Sequence, residues 1–337
     1  MSVLVEARGV TKHFPLGRGR TVHAVDEVSL TIGEKEIVGL VGESGSGKST
    51  LGKALVGLHD KTAGDVYLSG EKLPRRYTAS DFRRYARRMQ MIFQDPYSSL
   101  NPRMTVGEIV GEGLCLHAGM GDAKVRDEAG GWLDRVGLER GHAARYPHEL
   151  SGGQRQRVGI ARALILEPTF VVCDEPISAL DVSVQAQIVR LLGELKASLG
   201  LTLLFIAHDL SMVRYLSDRM AVMYLGSLVE VGRTEDVYFR PLHPYTRILV
   251  ASNPEPDPRS ERTRATIPIA GEIPSPVNIR AGCRFAARCP EVMDVCRTVT
   301  PELRAMTDGA GERGVACHLY GPTGRSDQMK ARTAAAP

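Results

Sequence analysis

The chain has 337 residues, 43 lysines and arginines against 39 aspartates and glutamates, and a formal net charge of +4. That length can bury a large core and suggests about two domains, while so balanced a charge gives no argument for nucleic acid as a partner. Hydrophobic residues make up 43%, yet no run reaches the roughly 18 consecutive apolar residues that a membrane-spanning helix needs.

At the N-terminus, Met1–Glu6 lacks a basic region followed by an apolar core, so no secretory signal is visible. The expectation is a soluble cytoplasmic protein, in which cysteines read as free thiols or metal ligands before disulfides. Residues 3–35 alternate apolar and polar positions, as in Val3, Val5, Val28, Leu30 and Ile32, which suits antiparallel strands with one solvated face. Phe14 is expected in a turn. It suits a core position, or a stacking position if an aromatic base lies near the strand edge.

Gly42-Glu43-Ser44-Gly45-Ser46-Gly47-Lys48-Ser49 fits G-x-x-x-x-G-K-S/T, and Thr50 follows. Before it, Glu36–Val41 reads as a buried strand; after it, Leu51, Leu55 and Leu58 fall at helical spacing. Strand, loop and helix make the phosphate-binding loop. Its glycines permit a tight turn that exposes successive N–H groups, and the helix N-terminus adds a positive dipole end. Lys48 would reach the β- and γ-phosphates of a nucleotide, and Ser49 would coordinate Mg²⁺. A dinucleotide fingerprint needs a different glycine spacing.

Between residues 80 and 90, Phe82, Tyr85 and Met89 recur at helical spacing, leaving Arg83, Arg84, Arg87 and Arg88 on a solvated face. Met91–Phe93 reads as a short strand ending in Gln94, and Pro96 and Pro102 bracket a loop through which no helix can run. Further on, Leu150-Ser151-Gly152-Gly153-Gln154 precedes Val158, Ala161, Leu164 and Ile165 at helical spacing. Ser151 reads as an N-cap, making a second anion-binding helix end. Phe170–Glu175 is an apolar strand ending in adjacent carboxylates, suited to holding Mg²⁺ through Asp174 and polarising water through Glu175. Leu201–Ile206 is another buried strand, with His208 just past its end. Charged groups beyond several strand ends match the place where open α/β sheets bind ligands.

These features, in this order, resemble the ATP-binding subunit of an ABC importer, and the resemblance covers nearly the whole chain. It implies an α/β fold: a P-loop ABC-type nucleotide-binding domain with a mixed sheet core, an antiparallel β-subdomain and an α-helical subdomain, followed by a Pro-rich C-terminal extension. Residues 1–240 would form the ATPase domain, with the helical subdomain at about 95–165. The resemblance makes Gln94 the glutamine-loop residue that senses metal and water, Glu175 the general base, and His208 the switch that holds the γ-phosphate and that glutamate. Asp174, Ser49 and Gln94 would serve Mg²⁺, and Phe14 would take the adenine-stacking position. Residues 150–154 would act on the ATP of a partner cassette, and Asp181, after Ser178-Ala179-Leu180, would couple the two sites. Cys173 replaces a more usual aliphatic residue and is expected to be inert.

Beyond residue 240 the texture changes. Prolines from Pro244 through Pro254, Pro256, Pro258, Pro268, Pro274 and Pro276 to Pro290 suit an extended segment rather than another α/β layer. Cys283, Cys289, Cys296 and Cys317 are separated by five, six and twenty residues. Thiolates could hold zinc or an iron–sulfur cluster and staple such a segment, although the spacing is not C-x-x-C. His243-Pro244-Tyr245 and Cys283-Arg284-Phe285 are similar to the extension of the oligopeptide/dipeptide importer subfamily, some members of which hold a [4Fe–4S] cluster on that cysteine set. The extension would occupy 241–320, and Gly321–Pro337, polar and Ala-rich, is expected to be disordered.

The resemblance implies an ATPase lying peripherally on the cytoplasmic face of the inner membrane. Its partners would be two permease subunits, indirectly a solute-binding protein, and a second, related ATPase in a heterodimer, with a homodimer as the alternative. Nickel, glutathione or another small solute are alternative cargoes. A soluble ABC ATPase of translation or DNA repair fits less well, because the phosphate loop and signature each occur once and no sustained heptads appear. A small-molecule kinase leaves the signature helix unexplained.

Overall fold

Apolar runs with nothing polar to expose become the centre of a parallel sheet. In the computed structural model, β3 (Ile37–Val41), β7 (Phe170–Asp174) and β8 (Thr202–Ile206) are buried along their whole lengths. The structure describes residues 2–178, 180–253, 274–279, 281–308 and 311–320. Ala179, the prolines at 254, 256, 258 and 268, and the tail 321–337 lie outside the described residues.

The chain opens with β1 (Val3–Gly17) and β2 (Arg20–Gly33), an antiparallel hairpin that β4 (Ala63–Leu68) and β5 (Glu71–Lys72) extend into a four-stranded sheet, ordered β2-β1-β4-β5. Phe14 sits within β1, opposite Val22, not in a turn. The reversal lies further on: Gly17, Arg18 and Gly19 all adopt positive φ at the hairpin tip.

The second sheet has eight strands, ordered β11-β12-β10-β9-β3-β8-β7-β6. β6 (Met89–Ile92), β7, β8, β3 and β9 (Arg219–Tyr224) are parallel, whereas β10 (Ser227–Arg233) is antiparallel to β9. Alternation divides the buried side chains between two faces. Ile37, Val41, Val171, Cys173, Leu203 and Phe205 join the core under the helices, while Val38, Leu40, Phe170, Val172, Leu204 and Ile206 pack towards the hairpin and α1 (Lys48–Leu55).

Helix α2 (Ala79–Tyr85) is shorter than the spacing of Phe82, Tyr85 and Met89 implies. Tyr85 is buried, Phe82 is exposed and Met89 already belongs to β6, so only part of the helical face is realised. Arg84 and Arg88 pair with Glu71 across from the helix.

The expected loop after Gln94 contains α3 (Pro96–Ser99), a single turn started by Pro96 in its first turn and capped by Asp95, which accepts from the Tyr97 N–H at 2.8 Å. Proline blocks a helix interior but suits its first turn. Then come α4 (Val106–Ala118), α5 (Asp122–Arg135) and α6 (Gly152–Leu164), whose buried faces close around Trp132. Helices α7 (Val182–Leu199), α8 (Leu210–Leu216) and α9 (Thr234–Phe239) complete the α/β alternation.

The region beyond 240 differs from the expected extended segment. After α10 (Pro244–Ala251), the strands β11 (Arg304–Asp308) and β12 (Gly311–Val315) add to the main sheet through β10. Arg313 on β12 reaches the Glu230 carboxylate on β10 at 2.6 Å, with both side chains almost wholly buried. Glu230 also accepts the Leu242 and His243 backbone N–H groups, each at 2.9 Å. A buried carboxylate with a cation and two amides is satisfied, and that pairing draws the extension onto the sheet edge.

Candidate active site

The chain leaves β3 at Val41 and turns through Gly42–Gly47 into α1. A β-carbon on Gly42 would stand 2.1 Å from the Met223 carbonyl oxygen, and one on Gly47 2.0 Å from the Ala24 carbonyl oxygen. Both glycines have positive φ, so the turn excludes any larger residue. Gly47 caps α1 without a side chain, leaving the first-turn N–H groups, Lys48, Ser49 and Thr50 among them, oriented for an anion.

Lys48 is buried, and its ammonium donates to the carbonyl oxygens of Gly42 at 2.8 Å and Glu43 at 3.0 Å. Burial lowers its pKa, and the charges of Glu175, Asp174 and Glu43 oppose that fall. The amine thus curls over its own loop as a cation facing three carboxylates. Ser44 and Gly45 are exposed at the loop's crest, while Ser46 is buried and its N–H donates to the Glu43 carbonyl at 3.1 Å.

Three strand ends converge beside this loop. At the end of β7, Asp174 accepts from the Ser49 hydroxyl at 2.6 Å. Burial pushes the Asp174 carboxyl pKa up against that hydrogen bond, so a nearby cation would offset the cost of its charge. Glu175 accepts from the Gln94 amide, just past β6, at 2.9 Å. His208, just past β8, places Nδ1 3.7 Å from the same carboxylate and leaves most of its side chain in solvent. Lys48, Ser49, Asp174, Glu175, Gln94 and His208 therefore form one group. The oxygens of Ser49, Asp174 and Gln94 are hard donors of the kind Mg²⁺ takes.

The other expected residues lie apart from it. Ser151 caps α6: its hydroxyl accepts from the Gln154 N–H at 3.3 Å and its own N–H donates to the Gln154 side-chain oxygen at 2.9 Å. Leu150 is buried, and Gly152 and Gly153 open the helix. Among the described residues, no hydrogen bond or ion pair joins 150–154 to the phosphate loop. Asp181 is exposed at the start of α7 without a side-chain cap bond. Phe14 is half-buried, with its ring against His59 at 5.5 Å and under Lys12 Nζ at 4.8 Å. Cys173 is fully buried, and burial pushes its thiol up to about 12, which suits an inert core residue.

Residues 25–178 match the family described as ABC transporter, and residues 229–296 match the oligopeptide/dipeptide transporter C-terminal region. A putative oligopeptide transport ATP-binding protein of Bacillus subtilis, YkfD, is 53% identical over 94% of this chain and 95% of its own length. The chain belongs to the ABC transporter family. A putative peptide import ATP-binding protein of Brucella ovis is 49% identical over 91% of this ABC protein and 95% of its own length. Among solved structures, the ATP-binding cassette MJ0796, in a dimeric post-hydrolysis state bound to ADP and Pi, superposes with a TM-score of 0.64 at 31% identity, covering 68% of this chain and 99% of that one. Another, cbiO1 of Clostridium perfringens, part of the ABC transporter complex cbiONQ, gives a TM-score of 0.62 at 25% identity, covering 71% of this chain and 92% of that one. The ABC protein is an ATPase with the α/β cassette fold.

Two contacts of this ABC ATPase were not expected from its sequence. The Glu43 N–H donates to the Tyr245 hydroxyl at 2.9 Å, and the Glu43 carboxylate takes both terminal nitrogens of Arg288, at 2.9 and 3.1 Å. The neighbouring Arg284 donates to Asp26, which also accepts from His13 at 3.0 Å and His23 at 3.2 Å. Among the described residues, His13, His23 and Asp26 are the one grouping with ligand atoms within 4.8 Å of one another, and the Arg284 cation already sits on its carboxylate. Only the burial of an arginine and a tyrosine in a Pro-rich region could have pointed to these contacts beforehand, and burial is not written in local sequence.

Proposed function

We propose that this chain is the ATP-hydrolysing subunit of a transporter that imports oligopeptides or dipeptides across the cytoplasmic membrane. The likeness of residues 229–296 to the oligopeptide/dipeptide transporter C-terminal region carries the peptide assignment. In this reading 1–240 is the ATPase domain, with residues 95–165 its helical subdomain, and 241–320 is the extension. The chain works at the cytoplasmic face beside two permease subunits, served by a solute-binding protein. Nickel or glutathione as cargo is the second reading, kept because cargo need not touch this subunit.

The phosphate loop holds ATP through its backbone N–H groups, and Lys48 swings from the Gly42 and Glu43 carbonyls to the β- and γ-phosphates. Ser49, Asp174 and Gln94 would hold Mg²⁺, which neutralises phosphate charge when bound. Glu175 takes a proton from the attacking water as general base, while Gln94 and His208 keep its carboxylate aimed. Phe14 stacks on the adenine. The Ser151 helix end belongs to the site of a second cassette, a related subunit in a heterodimer, and Asp181 couples the two sites. Positioning and electrostatics carry the rate.

The test is ATP hydrolysis by the complex copurified with its permeases and reconstituted in lipid, with binding protein loaded in turn with dipeptides, longer peptides or Ni²⁺. Stimulation by peptides alone supports the assignment; stimulation by Ni²⁺ alone removes it and leaves the ATPase in place.

We infer that the four cysteines of the extension hold an iron–sulfur cluster, with zinc as the alternative. Cys317 lies close enough to Cys283, Cys289 and Cys296 for their charges to raise its thiol pKa, behind the larger effect of burial. Iron content and visible absorbance after anaerobic purification test the cluster. Zinc without iron, or neither metal, would refute it.

A further inference from the structure

We infer that Arg288 is a positioning residue for ATP binding, acting from the C-terminal extension through Glu43 of the phosphate loop. The inference rests on the ATPase reading of that loop. Glu43 is held at three points. Its carbonyl oxygen accepts from Lys48 and from the Ser46 N–H, its N–H donates to Tyr245, and its carboxylate receives both arms of the Arg288 guanidinium. When Lys48 turns to a phosphate, its bond to that carbonyl is released. The Tyr245 and Arg288 contacts then keep the crest of the loop in shape, because nothing in their geometry depends on Lys48.

Arg288 is itself built in. It is 7% exposed, its Nη1 also donates to the Tyr224 hydroxyl at 3.3 Å, and its guanidinium lies 5.9 Å from the ring centres of both Tyr224 and Phe285. Tyr224, Tyr245 and Phe285 are each almost fully buried and pack ring against ring, with centroids 4.6 to 5.4 Å apart. That aromatic block fixes the guanidinium fork, and a fork so fixed fixes the carboxylate it pairs with. The crest of the loop would otherwise rest on exposed residues, Ser44 and Gly45. Phosphate binding by backbone N–H groups depends on their pre-set directions, so a loop released at Glu43 binds ATP less well without losing a direct phosphate contact.

The experiment measures the ATP dissociation constant and melting temperature of the full-length chain, and KM and kcat of the assembled transporter, for the wild type, Arg288→Ala, Arg288→Lys, Glu43→Gln and Lys48→Ala. Arg288→Ala is expected to weaken ATP binding about tenfold, with KM rising and kcat retained. Arg288→Lys should recover part of that loss, since a lysine supplies the charge but not the fork. Glu43→Gln should weaken binding in the same direction, and combining it with Arg288→Ala should add little to either single variant. A lower melting temperature with ATP affinity within about twofold of wild type would overturn the inference and leave Arg288 a mere anchor of the extension. Should Arg288→Ala fail to fold, the same comparison is read from Arg288→Lys and Glu43→Gln. Lys48→Ala reports on the phosphate site separately. Weak binding there with unchanged binding in the Arg288 variants refutes the positioning role alone.

Discussion

Glu175 holds a φ of 43°, a left-handed conformation uncommon for a residue with a side chain, and its carboxylate meets Gln94 and His208 from two other strand ends. Strain of this kind persists where the surroundings impose it, and here they aim a carboxylate at the loop mouth. Glu175→Gln keeps the shape and removes the proposed base. ATP binding should survive while hydrolysis falls by about two to four orders of magnitude, measured as single-turnover phosphate release. Wild-type turnover in that variant would discard the general-base role. His243 supplies a different residue-scale prediction. Burial, with Arg247 adding to it, pushes its pKa from 6.5 down to about 3, and its Nδ1 accepts from the Tyr245 N–H. Above pH 6.5 the ring is neutral folded and unfolded, so it adds no pH dependence. Between 6.5 and about 3 the unfolded chain takes a proton that the folded chain refuses, so stability declines as pH falls. His243→Asn, whose side-chain oxygen can still cap α10, should flatten the acid side of a melting-temperature profile. An unchanged acid slope would show that other groups set it.

At the scale of elements, a buried charge pair, Arg313 with Glu230, helps tie β12 to β10. Arg313→Ala leaves Glu230 without its cation, and an uncompensated buried carboxylate costs about 3–5 kcal/mol. The midpoint of urea unfolding should drop accordingly; a shift of a few tenths of a kcal/mol would mean that water reaches Glu230. Elements were legible where one period ran uninterrupted. β3, β7 and β8 are continuous apolar runs, and α6 carries its cap and stripe in consecutive residues. The strands of the extension were not legible, because Arg304-Ala305-Met306-Thr307-Asp308 and Gly311-Glu312-Arg313-Gly314-Val315 show no apolar alternation. They are strands because of what Arg313 finds on β10. Phe82 and Met89 misled for the opposite reason: the spacing was helical, but the chain turns into β6 before the helix reaches Met89.

For the whole molecule, the phosphate loop and the Ser151 helix end belong to one chain, and among the described residues no hydrogen bond or ion pair joins them. If each completes its counterpart on a second cassette, hydrolysis should rise faster than linearly as this chain and its related partner cassette are concentrated together, and Ser151→Arg should lower it while sparing ATP binding by this chain. Strict proportionality at low concentration would mean that one chain suffices. The residues that gather at the strand ends could be read in sequence because they fall in short, fixed spacings, such as Lys48 beside Ser49 and Asp174 beside Glu175. Tyr245 and Arg288 could not, since they meet Glu43 across 202 and 245 residues of chain. Those long-range contacts carry an obligation of their own. Equilibrium coupling is reciprocal, so whatever factor the ordered extension contributes to ATP affinity, ATP must return as resistance of that segment to opening. Cys283 and Cys289 stand at the two ends of the stretch that bears Arg284 and Arg288. Hydrogen exchange of the backbone amides between them should therefore slow when the loop is filled and quicken when it empties.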